Sequence, residues 1–213
     1  MLPQDLVLTP AAPPTLSQAR KRFEVVVAGG GMAGVGAAIT AARHGARVAL
    51  LQDRPVLGGN GSKEIRVWLQ GARGGANNAW FRETGLMEEL LLENQYKNQD
   101  GEAELWDAIL LDKTLAQERL ELMLNTSVLD LAMRDGKIAS VRALTLHSEL
   151  LTTLEGACFI DCTGDGTLGS KGRKPYRRMR GPTVGSKAPP VRRAYASAMS
   201  MHRKRSGSFT GTG

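Results

Sequence analysis

Cysteine is almost missing from this chain: Cys158 and Cys162 are the only two in 213 residues. A disulfide framework needs more, and a four-cysteine metal or iron–sulfur site cannot be built from this chain alone. Their spacing puts both on one side of a strand, where they read as small buried hydrophobes. A redox pair has no other support in the sequence. Aromatics are also scarce, at 5% of residues. No apolar run approaches the roughly 18–20 residues needed to cross a bilayer. The opening stretch, "MLPQDLVLTPAAPPTLSQAR", has an early Asp5 and four prolines but neither a basic start nor a continuous apolar segment. It does not read as a secretory signal. Residues 1–22 are expected to be a flexible lead-in, and the cytoplasm is the expected compartment.

Acidic residues are missing from one part only. All 21 lie within residues 1–169 beside 16 Lys and Arg, a net charge of −5, whereas residues 170–213 carry 12 Lys and Arg and no Asp or Glu. From residue 169 onward Leu, Ile, Asn and Gln are absent as well. Such a segment buries too little apolar surface to offset its chain entropy, so residues 170–213 are expected to be a disordered basic tail. Twelve cations could grip phosphate backbones without sequence preference. Tyr176 and Tyr195 are too few for a stacking platform, and a solvated tail with no nucleic-acid partner is the expected state.

What the chain does have is glycine in telling places. "FEVVVAG" (23–29) is short, β-branched and continuously apolar, as a strand buried on both faces should be. "MAGVGAAITAARHG" follows as a helix with Gly45 as its stop and His44 in its last turn, then "ARVALLQDRP" as a second buried strand. Strand, glycine turn, helix, strand makes a βαβ unit with parallel strands. Its turn holds Gly29-x-Gly31-x-x-Gly34. In a dinucleotide-binding turn the first glycine permits the tight bend, the second lets a pyrophosphate touch the backbone, and the third lets helix and strand pack closely. The helix N-terminus then offers free N–H groups and partial positive charge. At the end of the second strand the fingerprint expects an acid for the ribose. Gln52 stands there, flanked by Asp53 and Arg54.

Residues 56–81 form a long glycine-rich segment, "VLGGNGSKEIRVWLQGARGGANNAWF". A loop of that length inside a compact domain is usually functional. Glu64, Arg66 and Arg73 could bind substrate there or serve as solvated loop residues. Helices are predicted near 83–96 and 103–117, with Leu86, Leu90 and Leu91, then Leu105, Ile109 and Leu110, as core. From Leu120 the pattern changes to short strands. "RDGK" (134–137) is a hairpin turn, because Asp–Gly readily supplies positive φ. "LLTTLEG" and "ACFIDC" read as successive strands, the second ending in the glycine turn "TGDG". His147 has no assigned role.

"VVVAGGGMAGVGAAITAARHGARVALLQDRPVLGGNGSKEIRV" resembles the N-terminus of FAD-dependent oxidoreductases with the glutathione-reductase-type Rossmann fold. More narrowly it is similar to the branch related to the flavoprotein component of heterodisulfide reductase. The resemblance continues through "WFRETGLMEELLLENQY", "ELWDAILLDK", "LNTSV" and "FIDCTGDGTLG", and so covers residues 23–169. It implies an α/β fold: a Rossmann-like FAD-binding domain with a parallel sheet and an inserted β-meander. It also implies roles. Gly29, Gly31 and Gly34 would hold the FAD pyrophosphate, and Gln52 and Arg54 would meet the adenosine ribose. Gly58, Gly59 and Asn60 match the second glycine loop along the pyrophosphate and ribityl chain. Val128 matches the position whose backbone touches adenine. Thr163, Gly164, Asp165 and Gly166 match the closing motif near the ribityl or phosphate region. Relatives on the heterodisulfide reductase side often carry iron–sulfur clusters, which two cysteines cannot supply.

The residues themselves agree with FAD over NAD: a plain NAD domain would repeat βαβ in its second half, and this chain turns to a meander. The implied function is flavin-mediated electron or hydride transfer between an unidentified small-molecule substrate and electron donor. The alternative is a flavin- or NAD-binding fragment without turnover, since the family continues after "TGDGTLG" into a substrate domain and the basic tail does not resemble it. A frameshift or truncation near codon 169 is the expected origin of that tail.

Overall fold

The computed structural model describes residues 16–69 and 83–172. Expectations for the 1–15 lead-in, Arg73, the end of the long loop and residues 173–213 lie outside the described residues.

Two apolar runs set the frame. In the second half of β1 (Ser17–Ala28) and in β2 (Val48–Leu51), side chains alternate between the two sheet faces, and both faces are covered from Val25 onward. Val27, Val48 and Leu50 point to one side, against Val35, Ala38 and Ile39 of α1 (Met32–Arg43). Val26, Ala28, Ala49 and Leu51 point to the other, where they meet Phe23, Val141, Ala143 and Leu154. Fully burying one such Val, Leu or Ile side chain is worth roughly 1.5–3 kcal/mol, and β2 is buried along its whole length.

The order of the sheet is β3-β2-β1-β6-β5-β4. β3 (Leu120–Met123), β2, β1 and β6 (Leu150–Asp161) run parallel, while β5 (Lys137–Thr145) is antiparallel to both β6 and β4 (Thr126–Arg134). The meander is therefore not a separate layer but an extension of the same sheet. The Asp135–Gly136 turn joins β4 to β5 with both residues at positive φ (50° and 70°), as its sequence predicts.

Two boundaries differ from the sequence reading. β1 starts at Ser17 rather than Phe23, so residues 17–22 belong to the sheet, paired with Leu150–Glu155. Most of their side chains are exposed, so main-chain pairing holds them and no hydrophobic period announces them. β6 is one strand of 12 residues rather than two, running straight through Gly156. A Cβ at that glycine would come within 3.0 Å of the Phe159 ring and 3.1 Å of Val26, so the glycine makes room for an aromatic instead of breaking the strand.

Helices α2 (Gly85–Lys97) and α3 (Ala103–Leu115) cover the α1 side. Leu90, Ile109 and Leu110 are core as expected, with Leu86 and Leu91 partly buried, but Leu105 is exposed. The buried stripe of α3 runs Trp106, Ile109, Leu110 and Thr114, at helical spacing, and Leu105 falls outside it. Arg43 of α1 clamps this layer through both of its terminal nitrogens to Glu89 (2.7 and 2.9 Å), which also binds Lys113 at 3.1 Å. Arg43 and then Lys113 hold the Glu89 carboxyl at about 2, below its ordinary 4.5. The cysteines also depart from expectation. Cys158 is exposed, and only Cys162, partly buried, packs against the α1-side core.

Candidate dinucleotide-binding site

Because β1, β2 and β6 are parallel, the segments following Ala28, Leu51 and Asp161 emerge at one edge of the sheet, the edge where ligands bind in open α/β folds. All three are glycine turns, and they touch. The Gly29 N–H donates to Leu51 C=O (2.8 Å), and the Cys162 N–H donates to Ala28 C=O (2.7 Å). The Gly58 N–H donates to Gly30 C=O (2.9 Å), and Gly31 pairs with Gly58 in a parallel bridge.

The glycines of the first turn have different tasks. A Cβ at Gly29 (φ 98°) would lie 2.8 Å from the Thr163 nitrogen and overlap the Cys162 carbonyl, so this residue lets the first and third turns meet. At Gly34 a Cβ would overlap the Gly29 carbonyl, whose carbon is 2.9 Å away, so this glycine lets α1 close on the turn. Gly31 is the contrast. Its φ of −65° and ψ of 178° suit any residue, and nothing lies within 4 Å of where its Cβ would be. Neither the fold nor the backbone requires glycine there; an approaching ligand would.

Gly31 is also the N-cap of α1, with no side-chain cap and no acidic residue in the first turn. The bond from Val35 N–H to Gly31 C=O (2.9 Å) opens the helix, so the N–H groups before Val35 have no partner within it. Free N–H groups and the helix dipole together favour negative charge at such an end. Gly59 crosses over Gly31: a Cβ on Gly59 would stand 3.2 Å from the Gly31 Cα. Asn60 follows in the short Gly59–Gly61 3-10 turn with its side chain exposed and its C=O accepting the Val67 N–H (2.9 Å). In the third turn, Gly164 and Gly166 have positive φ and open space on the Cβ side, and Asp165 is exposed.

Residues expected at the adenosine end are near one another but not all free. The Thr126 N–H donates to Gln52 C=O (2.8 Å) and the Asn125 N–H to Arg54 C=O (3.2 Å), which brings the start of β4, and Val128, beside the end of β2. Val128 itself packs its side chain into the Phe23 cluster. Arg54 pairs with Glu64 at 3.2 Å across the second loop. Gln52 follows the last residue of β2. It is 4% exposed, its Oε1 accepts the Gly30 N–H (2.8 Å), and its Nε2 donates to Val56 C=O (2.9 Å). Both ends of the amide are engaged by backbone.

Three supporting residues went unread in the sequence. Gly30 packs against Leu57 (2.7 Å from a Cβ) and Gln52. Asp161 gathers the third turn, accepting from Thr163 N–H and Oγ1 (3.2 and 2.7 Å), Leu168 N–H (2.8 Å) and Gly169 N–H (3.1 Å), and so anchors the short helix α4 (Thr167–Lys171). An Asp two residues before a Thr is an Asx-turn signal that was there to be seen. Asp107 of α3, largely buried, accepts the Lys63 N–H (3.1 Å) and secures the second loop. Burial pushes its carboxyl pKa up, against the Lys63 hydrogen bond that pulls it down. Burial likewise raises the Cys162 thiol, with the Asp161 charge adding to it. Among the described residues, no group of three His, Cys, Asp or Glu is arranged to hold a metal ion, and no helix is long and apolar enough to cross a membrane.

Parts of this chain are similar to known proteins. Over 42 residues the chain is 55% identical to the soluble pyridine nucleotide transhydrogenase of Hahella chejuensis and 50% to that of Marinobacter nauticus. Each match takes in 20% of this chain and 9% of the relative, so the chain spans a small part of their length. Similar solved structures include the L-proline dehydrogenase from P. horikoshii, with 18% identity and a TM-score of 0.42, covering 69% of this chain and 23% of that one. Another is the thioredoxin reductase from Streptococcus pyogenes, with 14% identity and a TM-score of 0.38, covering 66% and 31%. The family model for FAD dependent oxidoreductase matches residues 24–199, crossing the boundary at 169 where the sequence reading set the tail apart. FAD is the cofactor of that family, and this chain belongs to it.

Proposed function

We propose that this chain supplies the FAD-binding part of a flavin-dependent oxidoreductase acting on a small molecule, in a cytoplasmic setting. The observation that carries the proposal is the meeting of three glycine turns at one sheet edge, beside an uncapped helix N-terminus. In this reading the backbone around Gly31 and the first turn of α1 hold the diphosphate, with Gly58, Gly59 and Asn60 along its other side. Arg54 and the backbone near Val128 face the adenosine. Thr163, Gly164, Asp165 and Gly166 approach the ribityl chain. The open space beside Gly31, Gly164 and Gly166 is what an extended ligand would fill. Once bound, the flavin supplies the capacity to take up and return a hydride or single electrons, and the residues here bind and orient it. Substrate and electron donor would be met by groups outside the three turns.

The test is ligand binding by the purified full chain. Titration with FAD, ADP, FMN and NAD, followed by flavin fluorescence or calorimetry, should show binding of FAD and of ADP. FMN, which lacks the adenosine and one phosphate, should bind much more weakly. A folded protein that takes up neither FAD nor ADP would refute the proposal, and preference for NAD over FAD would replace it with a nicotinamide site. If FAD binds, its bleaching by NADH or by a chemical reductant would separate a working flavin from an idle one.

A further inference from the structure

At the end of β2, where the fingerprint asks for an acid, this chain has an amide, and the structure gives that amide a different task. Gln52 stands between the first and second glycine turns, linking Gly30 N–H (2.8 Å) to Val56 C=O (2.9 Å) from a position only 4% exposed. The two turns it links are those whose residues pair directly at Gly31 and Gly58. We propose that Gln52 is a positioning residue: its amide sets the spacing of the two turns that form the diphosphate cradle, and it does not bind the ribose. This rests on the reading of that cradle given above.

The chemistry of the side chain makes the proposal testable. One acceptor and one donor are needed, side by side. An amide provides both, and so does a neutral carboxylic acid, but a carboxylate only accepts. In Gln52→Glu the neutral acid would reproduce both bonds. Once ionised, the group would keep the Gly30 bond and turn a negative oxygen on the part-buried Val56 carbonyl, forcing the turns apart. Burial would raise the pKa of that carboxyl and bring the change into an accessible range.

The experiment measures FAD and ADP affinity of wild type and Gln52→Glu from about pH 5 to about pH 9, with circular dichroism confirming that both are folded at each point. The ratio of variant to wild-type affinity should be near one at the acid end and fall by at least about tenfold at the alkaline end. A ribose ligand predicts the opposite trend, because a carboxylate is the stronger acceptor for ribose hydroxyls. A ratio that rises with pH, or stays flat, would overturn the proposal. Gln52→Met, similar in size but without either bond, should weaken ADP and 2′-deoxy-ADP by the same factor at every pH; a loss confined to ADP would show a ribose contact and overturn it. If wild type binds neither nucleotide, the cradle reading itself fails. The coupling of the turns is then read from melting: the ligand-free difference in Tm between Gln52→Glu and wild type should widen as pH rises, and a constant difference would refute it.

Discussion

Substituting Gly31 by serine should move stability and ligand affinity in opposite directions. The residue sits at φ −65° and ψ 178° with no atom within 4 Å of its Cβ direction, so a side chain enters without strain. Serine also brings a hydroxyl to an N-cap that has no side-chain cap. Relative to glycine that is worth a few tenths of a kcal/mol, and removing a glycine from the unfolded chain adds roughly 0.4–1 kcal/mol. For a domain of this size the sum corresponds to a rise in Tm of about 1–5 °C. The same hydroxyl would occupy the helix N–H groups that a phosphate needs and narrow its approach to the backbone. Losing one hydrogen bond to a charged group costs about 1.5–3 kcal/mol, so FAD affinity should fall by roughly ten- to a hundredfold. Differential scanning fluorimetry without ligand and a calorimetric titration with FAD measure the two quantities on one preparation. Unchanged FAD affinity would refute the assignment of Gly31 to the ligand. A Tm lowered by several degrees would refute the claim that the fold does not need glycine there.

Gly34→Ala should behave in the other way, because its Cβ would overlap the Gly29 carbonyl. It should lower Tm by several degrees through about 1–3 kcal/mol of overpacking, seen by the same fluorimetry even without ligand. Acid titration should expose the Arg43–Glu89–Lys113 clamp. The Glu89 pKa is lowered on folding, so its stabilisation is complete above its ordinary 4.5 and disappears as pH falls toward about 2. The lowered Glu93 and Asp130 carboxyls act in the same direction, and the raised Asp107 opposes them. Glu89→Gln should flatten the acid limb of a urea-melt series by about 0.2–1 kcal/mol, the scale of a solvent-accessible ion pair. Asp161→Ala removes the acceptor for the amides of Thr163, Leu168 and Gly169. Hydrogen exchange should accelerate at those three positions while the β2 amides keep their protection.

How much of this was legible follows from how local each signal is. The βαβ unit could be read because its evidence lies within one stretch: a β-branched run, glycines at the turn, alanines after it. The meander was legible from its Asp–Gly turn, whose φ values are a property of two neighbouring residues. The first half of β1 was not legible, because Ser17–Arg22 is a strand by virtue of main-chain bonds to β6, more than a hundred residues away, with mostly exposed side chains. Leu105 was misread for a related reason: helical spacing shows that a stripe exists, while Trp106 decides which stripe faces inward.

The site divides along the same line, and its three consecutive glycines show why. A fingerprint names Gly29, Gly31 and Gly34 and is silent on Gly30. In the structure, Gly29 and Gly34 admit other parts of the chain, and Gly30 lies under Leu57 and Gln52 with its N–H taken by the Gln52 amide. Of these four, only Gly31 has open space on its Cβ side. An acid at position 52 would be expected from the fingerprint, yet once Gly30 N–H and Val56 C=O are both seen to need a partner, glutamine satisfies the pair and a carboxylate does not. Position in a motif thus identifies the neighbourhood of the ligand. Which residue in it serves the ligand, and which serves the turns that hold it, depends on what each polar group is already bonded to.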